Sequence, residues 1–161
     1  MRDEDFDRLF HEEAQGLFAF LAYRTGDRSL AEDLMADAFE RALRSRGRYD
    51  RRRGSARTWL YAIALNLLRD NARRRGAETR ALERMHERGD PREGARIAAV
   101  ADRDQLQLAL AALAPEERDA IALRFGGELT VPEIAELLGE PLTTVEGRVY
   151  RALRKLRAEL G

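Results

Sequence analysis

The sequence predicts an all-α protein built from two small helical units joined by a linker. Three observations carry this. Apolar residues recur at steps of three and four along successive stretches and nowhere alternate with period two, so helices are expected and strands are not. Ser, Thr and Gly stand at the margins of those stretches, where helices start and stop. A segment of mixed charge with few large apolar residues, 76–104, then divides the chain into units 1–75 and 105–161.

The first helix is expected from about Asp5 to Arg24, with Phe6, Leu9, Phe10, Ala14, Leu17, Phe20 and Leu21 at helical spacing and Gly26 ending it. Ser29 with Glu32 suggests a capping box for a second helix, whose inner stripe is Ala31, Leu34, Met35, Ala38, Phe39, Ala42 and Leu43 and whose end is Gly47. A basic loop, Arg46–Ser55, follows. Ser55 caps a third helix with Trp59, Leu60, Ile63, Ala64 and Leu67 inward and Arg73, Arg74 and Arg75 at its C-terminal end, where cations suit the dipole. The linker has helical character around Glu78–Glu87. Beyond it come helices over Asp104–Leu113 and Pro115–Phe125.

The end of the chain reads as a helix-turn-helix. Thr130 with Glu133 forms a capping box, Pro132 is tolerated in the first turn, and Gly139 ends the helix in a left-handed conformation. Ala135 is small where two helices must approach. Thr143 with Glu146 suggests a second box, and Val145, Val149, Ala152 or Leu153, Leu156 and Leu160 form the inner stripe of the last helix. A tight turn that pushes a basic helix outward is the geometry for a major groove, which makes DNA the first partner to consider.

The net charge of zero hides a strong pattern: residues 1–40 carry −7, 41–75 carry +10, 105–142 carry −5 and 143–161 carry +3. Two basic blocks, each preceded by an acidic one, suggest two nucleic-acid contacts and two other surfaces. The absence of cysteine excludes disulfides and thiolate metal sites and fits a cytoplasmic protein. No apolar run approaches a membrane span, and the acidic N-terminus is no signal peptide. His11 and His86, the two histidines, have no motif around them. No catalytic set and no metal-ligand set assembles, so neither enzyme activity nor a cofactor is expected.

Taken in order, Ala31–Ala42, Arg51–Asp70, Leu113–Arg124 and the helix-turn-helix resemble the regions of the short sigma-70 family factors of the extracytoplasmic function (ECF) group. The resemblance implies a sigma2-like and a sigma4-like domain, binding to RNA polymerase core, direction of the polymerase to promoter DNA and help in opening the duplex. An anti-sigma factor is a further candidate partner. By the same resemblance the second helix docks on the polymerase through Asp33, Leu34, Asp37, Phe39 and Arg41, although Leu34 and Phe39 suit the core equally well.

The basic loop and third helix are then expected to meet the −10 element. Opening a duplex without ATP hydrolysis requires a surface that traps unstacked bases, with arginines for the backbone. Arg46, Arg48, Tyr49, Arg51, Arg52 and Arg53 supply the loop; Asn66 and Asn71 could read base edges, and Arg69, Arg73 and Arg74 would hold phosphate. Spacing makes Trp59 a core anchor and Tyr61 the exposed aromatic. For the −35 element, Thr144, Gly147, Arg148 and Arg151 are expected outward, with Arg154 and Lys155 on phosphates and Arg148 on guanine. Glu146-Gly147 departs from the Lys-Ser common in the family; Glu146 caps the helix or accepts from cytosine. Two rivals stand beside this reading. One is a polymerase-independent helix-turn-helix regulator, the other an adaptor that binds protein or RNA through its basic helices.

Overall fold

Seven α-helices account for most of the described residues, 1–85 and 101–161, of the computed structural model. Helix α1 spans Asp3–Thr25, with Asp3, Glu4 and Asp5 in its first turn, at the positive end of the dipole. It ends at Gly26, whose φ of +70° lets its N–H reach Ala22 O at 2.9 Å.

Helix α2, Arg28–Arg44, starts one residue ahead of Ser29. Asp27 is its cap, accepting from the Leu30 N–H at 3.1 Å, so the box expected of Ser29 and Glu32 does not form. Ser45, not Gly47, ends it. Gly47 lies inside a short 3-10 turn, Arg46–Arg48. Helix α3 runs Ala56–Met85, with Ser55 Oγ accepting from the Thr58 N–H at 3.1 Å. It passes Arg75 and continues into the segment read as a linker. Residues 86–100, which include His86 and Gly89-Asp90-Pro91, lie outside the described residues, and 101–104 belong to the next helix.

Helix α4 spans Ala101–Ala111 and α5 Pro115–Ile121, where Glu117 accepts from the Ala114 N–H at 3.0 Å. A π-helical turn, Ala122–Gly126, continues α5. Helix α6, Val131–Leu138, has the expected reciprocal cap: Thr130 N–H to Glu133 Oε1 at 2.9 Å, and Glu133 N–H to Thr130 Oγ1 at 3.3 Å. Gly139 ends α6 at a φ of +66°. Helix α7 spans Leu142–Leu160 and begins right after Pro141, so Thr143 sits inside its first turn and makes no side-chain cap. Val145, Val149, Ala152 and Leu156 are buried; Leu160, expected on that stripe, is exposed.

Helices α1, α2 and α3 pack together, as do α4 to α7, but the two groups also share one core. The π turn lies on α1 so closely that a Cβ at Gly126 would fall 2.9 Å from Phe20 Cα. A Cβ at Gly127 would fall 2.8 Å from the Tyr61 ring, which itself lies 5.7 Å from the ring of Phe20. Two consecutive glycines thus let the π turn approach α1 and α3 closely along the seam between the units. Packing of this density makes any added atom costly.

Candidate polymerase and promoter interfaces

On α2, Asp33 and Asp37 are four residues apart and both exposed, as is Arg41. Glu40 beside them is engaged with Arg44 at 2.6 Å. Leu34 and Phe39 belong instead to the core, 4% and 6% exposed. The Phe39 ring packs on Phe6 and Phe10, with centroids 6.4 and 4.8 Å away. Both thus serve the core, the alternative that the sequence left open for them. The same packing leaves Phe10, expected inward, 42% exposed at the edge of this face. An acidic surface with an apolar margin is what remains for a partner.

The basic loop has internal order. Tyr49 donates its hydroxyl to Gly54 O at 3.0 Å, and Asp50 accepts from the Arg52 N–H at 3.0 Å. These bonds close the loop and turn Arg51, Arg52 and Arg53 outward, exposed and without an acidic partner among the described residues. Arg48 is exposed too, whereas Arg46 is drawn to Asp3 at 3.2 Å. Along α3, Asn66 and Arg74 are exposed and Asn71 is half-buried. Arg73 pairs with Asp70, and Arg69 reaches Asp119 at 3.5 Å.

Of the two aromatics on α3, one leaves its expected place. Tyr61 is fully buried, against the expectation of an exposed ring. The face of α3 it occupies is covered by Gly127 and Phe20, and burial raises its pKa above the usual phenol value. In this packed arrangement its ring presents no exposed surface. Trp59 is half-buried: it packs against the core and meets the Tyr49 ring at 5.2 Å, where it lines an open groove.

That groove, about 330 Å³, is bounded by Arg48, Tyr49, Arg53 and Trp59 on one side and by Glu136 and Leu137 of α6 on the other. The first helix of the helix-turn-helix therefore stands over the basic loop. Arg57 fixes it there. One guanidinium nitrogen donates to Gly127 O at 2.7 Å, another lies 3.4 Å from Glu133, and Nε lies 3.2 Å from Glu13 without a hydrogen bond. Burial raises the pKa of Glu13, with Arg57 opposing the shift. At the other end of the seam, Arg24 donates to Asp119 at 2.5 Å, both largely buried. A partly desolvated pair of this kind is costly to break, because the surviving charge is left without its partner.

On α7 the outward line runs through Thr143, Gly147, Tyr150, Arg151 and Arg154; Thr144 and Glu146 are exposed too. Tyr150, 64% exposed, escaped the sequence reading, although its place three residues past Gly147 marks that line. Arg148 is displaced from it. Its side chain is only 15% exposed and donates to Glu140 Oε2 at 2.6 Å, a bond that holds its cationic form and raises its pKa. It ties the inter-helix turn to α7 and does not point freely into a groove. Arg151 lies across Gly147, where a Cβ would come 3.1 Å from its guanidinium. Lys155 is tied to Glu117 on α5 at 2.8 Å. His11 bonds to Asp7 O on the surface, and no helix of the described residues is long and apolar enough to cross a membrane.

Comparison with known proteins matches both units. The sigma-70 region 2 family covers residues 9–78, and the sigma-70 region 4 family covers residues 103–156. The chain is similar to the ECF RNA polymerase sigma factor SigE of Mycolicibacterium smegmatis, 35% identical over 162 residues, 94% of this chain and 60% of that protein. It is similar also to the ECF RNA polymerase sigma factor BldN of Streptomyces coelicolor, 28% identical over 155 residues, 94% of this chain and 58% of that protein. It thus spans about three-fifths of the length of these two relatives. The fold is shared with the sigma factor RpoE in its co-crystal structure with the anti-sigma factor NepR from Bartonella quintana, at a TM-score of 0.77, 24% identity, and coverage of 98% of this chain and 97% of that one. With the two family regions in order on two packed helical units, the chain belongs to the sigma-70 family of RNA polymerase sigma factors, in its ECF group.

Proposed function

We propose that the chain acts in the cytoplasm as an alternative sigma factor and not as an enzyme, with residues 1–75 and 105–161 as its working units. It binds RNA polymerase core through the Asp33–Asp37 face of α2, meets the −35 element with α7 and the −10 element with the basic loop, and assists duplex opening. The observation that carries this is the pair of separate cationic surfaces: Arg51, Arg52 and Arg53 exposed on one unit, Arg151 and Arg154 on the other. A regulator that binds duplex DNA on its own needs the second surface and has no use for the first. Glu136 over the basic loop makes the packed arrangement a resting one, from which the units separate when polymerase and promoter engage them. An anti-sigma partner would act on the same equilibrium.

In vitro transcription with core polymerase on genomic fragments tests this, with start sites mapped. Discrete starts are expected with the chain present and none with core alone. Asp33→Arg with Asp37→Arg is expected to abolish co-purification with core while leaving the fold intact, since exposed charge reversals cost the fold little. Duplex binding without polymerase, and no polymerase-dependent start, would favour the independent regulator.

A further inference from the structure

Arg24, Arg69, Arg75 and Arg118 converge on a cavity of about 230 Å³ that Thr25 and Asn71 also line, with Arg69 and Asn71 among the residues expected at the −10 element. Counter-charge there is scarce. Arg24 and Arg69 share one carboxylate, Asp119, at 2.5 and 3.5 Å, and Arg75 approaches Asp27 only to 3.9 Å. Arg118 has no ion pair among the described residues, and its Nε is buried without a hydrogen-bond partner. Burial and the neighbouring charge of Arg24 disfavour its cationic form, with Asp119 opposing the shift. Among the described residues, four guanidiniums thus face two carboxylates, an excess of two positive charges.

We infer that this cavity binds a small phosphoanion carrying at least two negative charges, of the pyrophosphate class. Guanidinium forks match phosphate oxygens in pairs, and a diphosphate offers enough acceptors to engage several forks at once. The cavity is smaller than the ~300–1,000 Å³ usual for drug-sized ligands. Its walls come from both units: Arg24 from α1, Arg69 and Arg75 from α3, and Arg118 from α5. A small free anion suits a cavity of this volume better than an extended DNA backbone does, and the competition arm below separates the two. Since the site is complete only when the units are packed, the ligand favours the packed arrangement by mass action.

Calorimetric titration of the full chain with sodium pyrophosphate, at ionic strength held constant with sodium chloride, tests the site. Saturable binding of one anion per chain is expected, together with a rise in Tm. Arg118→Gln and Arg75→Gln are each expected to weaken binding at least tenfold, while Arg157→Gln, on exposed α7 surface, leaves it unchanged. Should Arg118→Gln not fold, Arg69→Gln with Arg75→Gln reads the same outcome, because both side chains are more than half exposed. Undiminished binding in the cavity variants, or an equal loss in Arg157→Gln, overturns the inference in favour of diffuse charge attraction. So does a single-stranded oligonucleotide that displaces pyrophosphate and itself depends on Arg118, which would assign the cavity to the DNA backbone.

Discussion

Arg148 and Arg151 stand three residues apart on α7 and meet different surroundings. The first is held by Glu140 at the inter-helix turn; the second lies over Gly147 on the open face. Base reading is therefore expected of Arg151. Arg151→Ala is expected to cost about 1–3 kcal/mol on the cognate promoter and to relax preference at one base pair. Arg148→Ala is expected to weaken all −35 variants alike and to lower the Tm, and Glu140→Gln should resemble it. Binding by the holoenzyme to promoters varied at the −35 element checks both, and a base-specific loss in Arg148→Ala would restore that residue as the reader. Glu117 gives a residue-scale pH test. Its hydrogen bond from Lys155 lowers its pKa below the ordinary 4.5, so the α5–α7 tie stabilises the fold above that value. The contribution is lost as pH falls through the lowered pKa. Wild type is therefore expected to be more stable than Glu117→Gln near neutrality, with the gap closing below about pH 4.5. A gap that stays constant down to pH 3 would mean the carboxylate does not titrate against Lys155.

Among the elements, the basic loop presents Arg51, Arg52 and Arg53, which no carboxylate of the described residues claims. Neutralising Arg51, Arg52 and Arg53 is expected to destabilise open complexes and to flatten their salt dependence, by roughly 0.9 in slope for each lost phosphate contact. Filter binding across a salt series measures it, and an unchanged slope would remove the loop from the DNA interface. Element existence was legible in the sequence because helix signals are local. The Thr130–Glu133 box, Gly26 and Gly139 involve groups within a few residues of one another. Competition between neighbouring caps was less legible: Asp27 and Pro141 start α2 and α7 early, leaving Ser29 and Thr143 inside first turns. The exposed arginines of the site were legible from charge alone. Leu34, Phe39 and Tyr61 were not, because their burial depends on where neighbouring helices land, and for Tyr61 the cover comes from Gly127, 66 residues away.

At the scale of the whole molecule, the seam between the units sets Glu136 and Leu137 of α6 across a groove from the basic loop. Gly126 is the contact with least tolerance: a Cβ there would meet Phe20 Cα at 2.9 Å and Ala19 O at 3.0 Å, both backbone. Its own φ is not in the left-handed region, so alanine suits the turn itself and strains only the approach to α1. Gly126→Ala should therefore part the units while each keeps its helices. Arg57→Ala reaches the same end differently, by removing the ties to Gly127 O and Glu133. Both variants are expected to raise the affinity of the free chain for a −10 single strand, because Glu136 no longer stands over the loop. Energy transfer between labels on α2 and α7 should fall in parallel, with helical content unchanged by circular dichroism. Greater strand affinity without a change in transfer would place the gain in the loop itself. No change in either would show that the seam does not hold the loop closed.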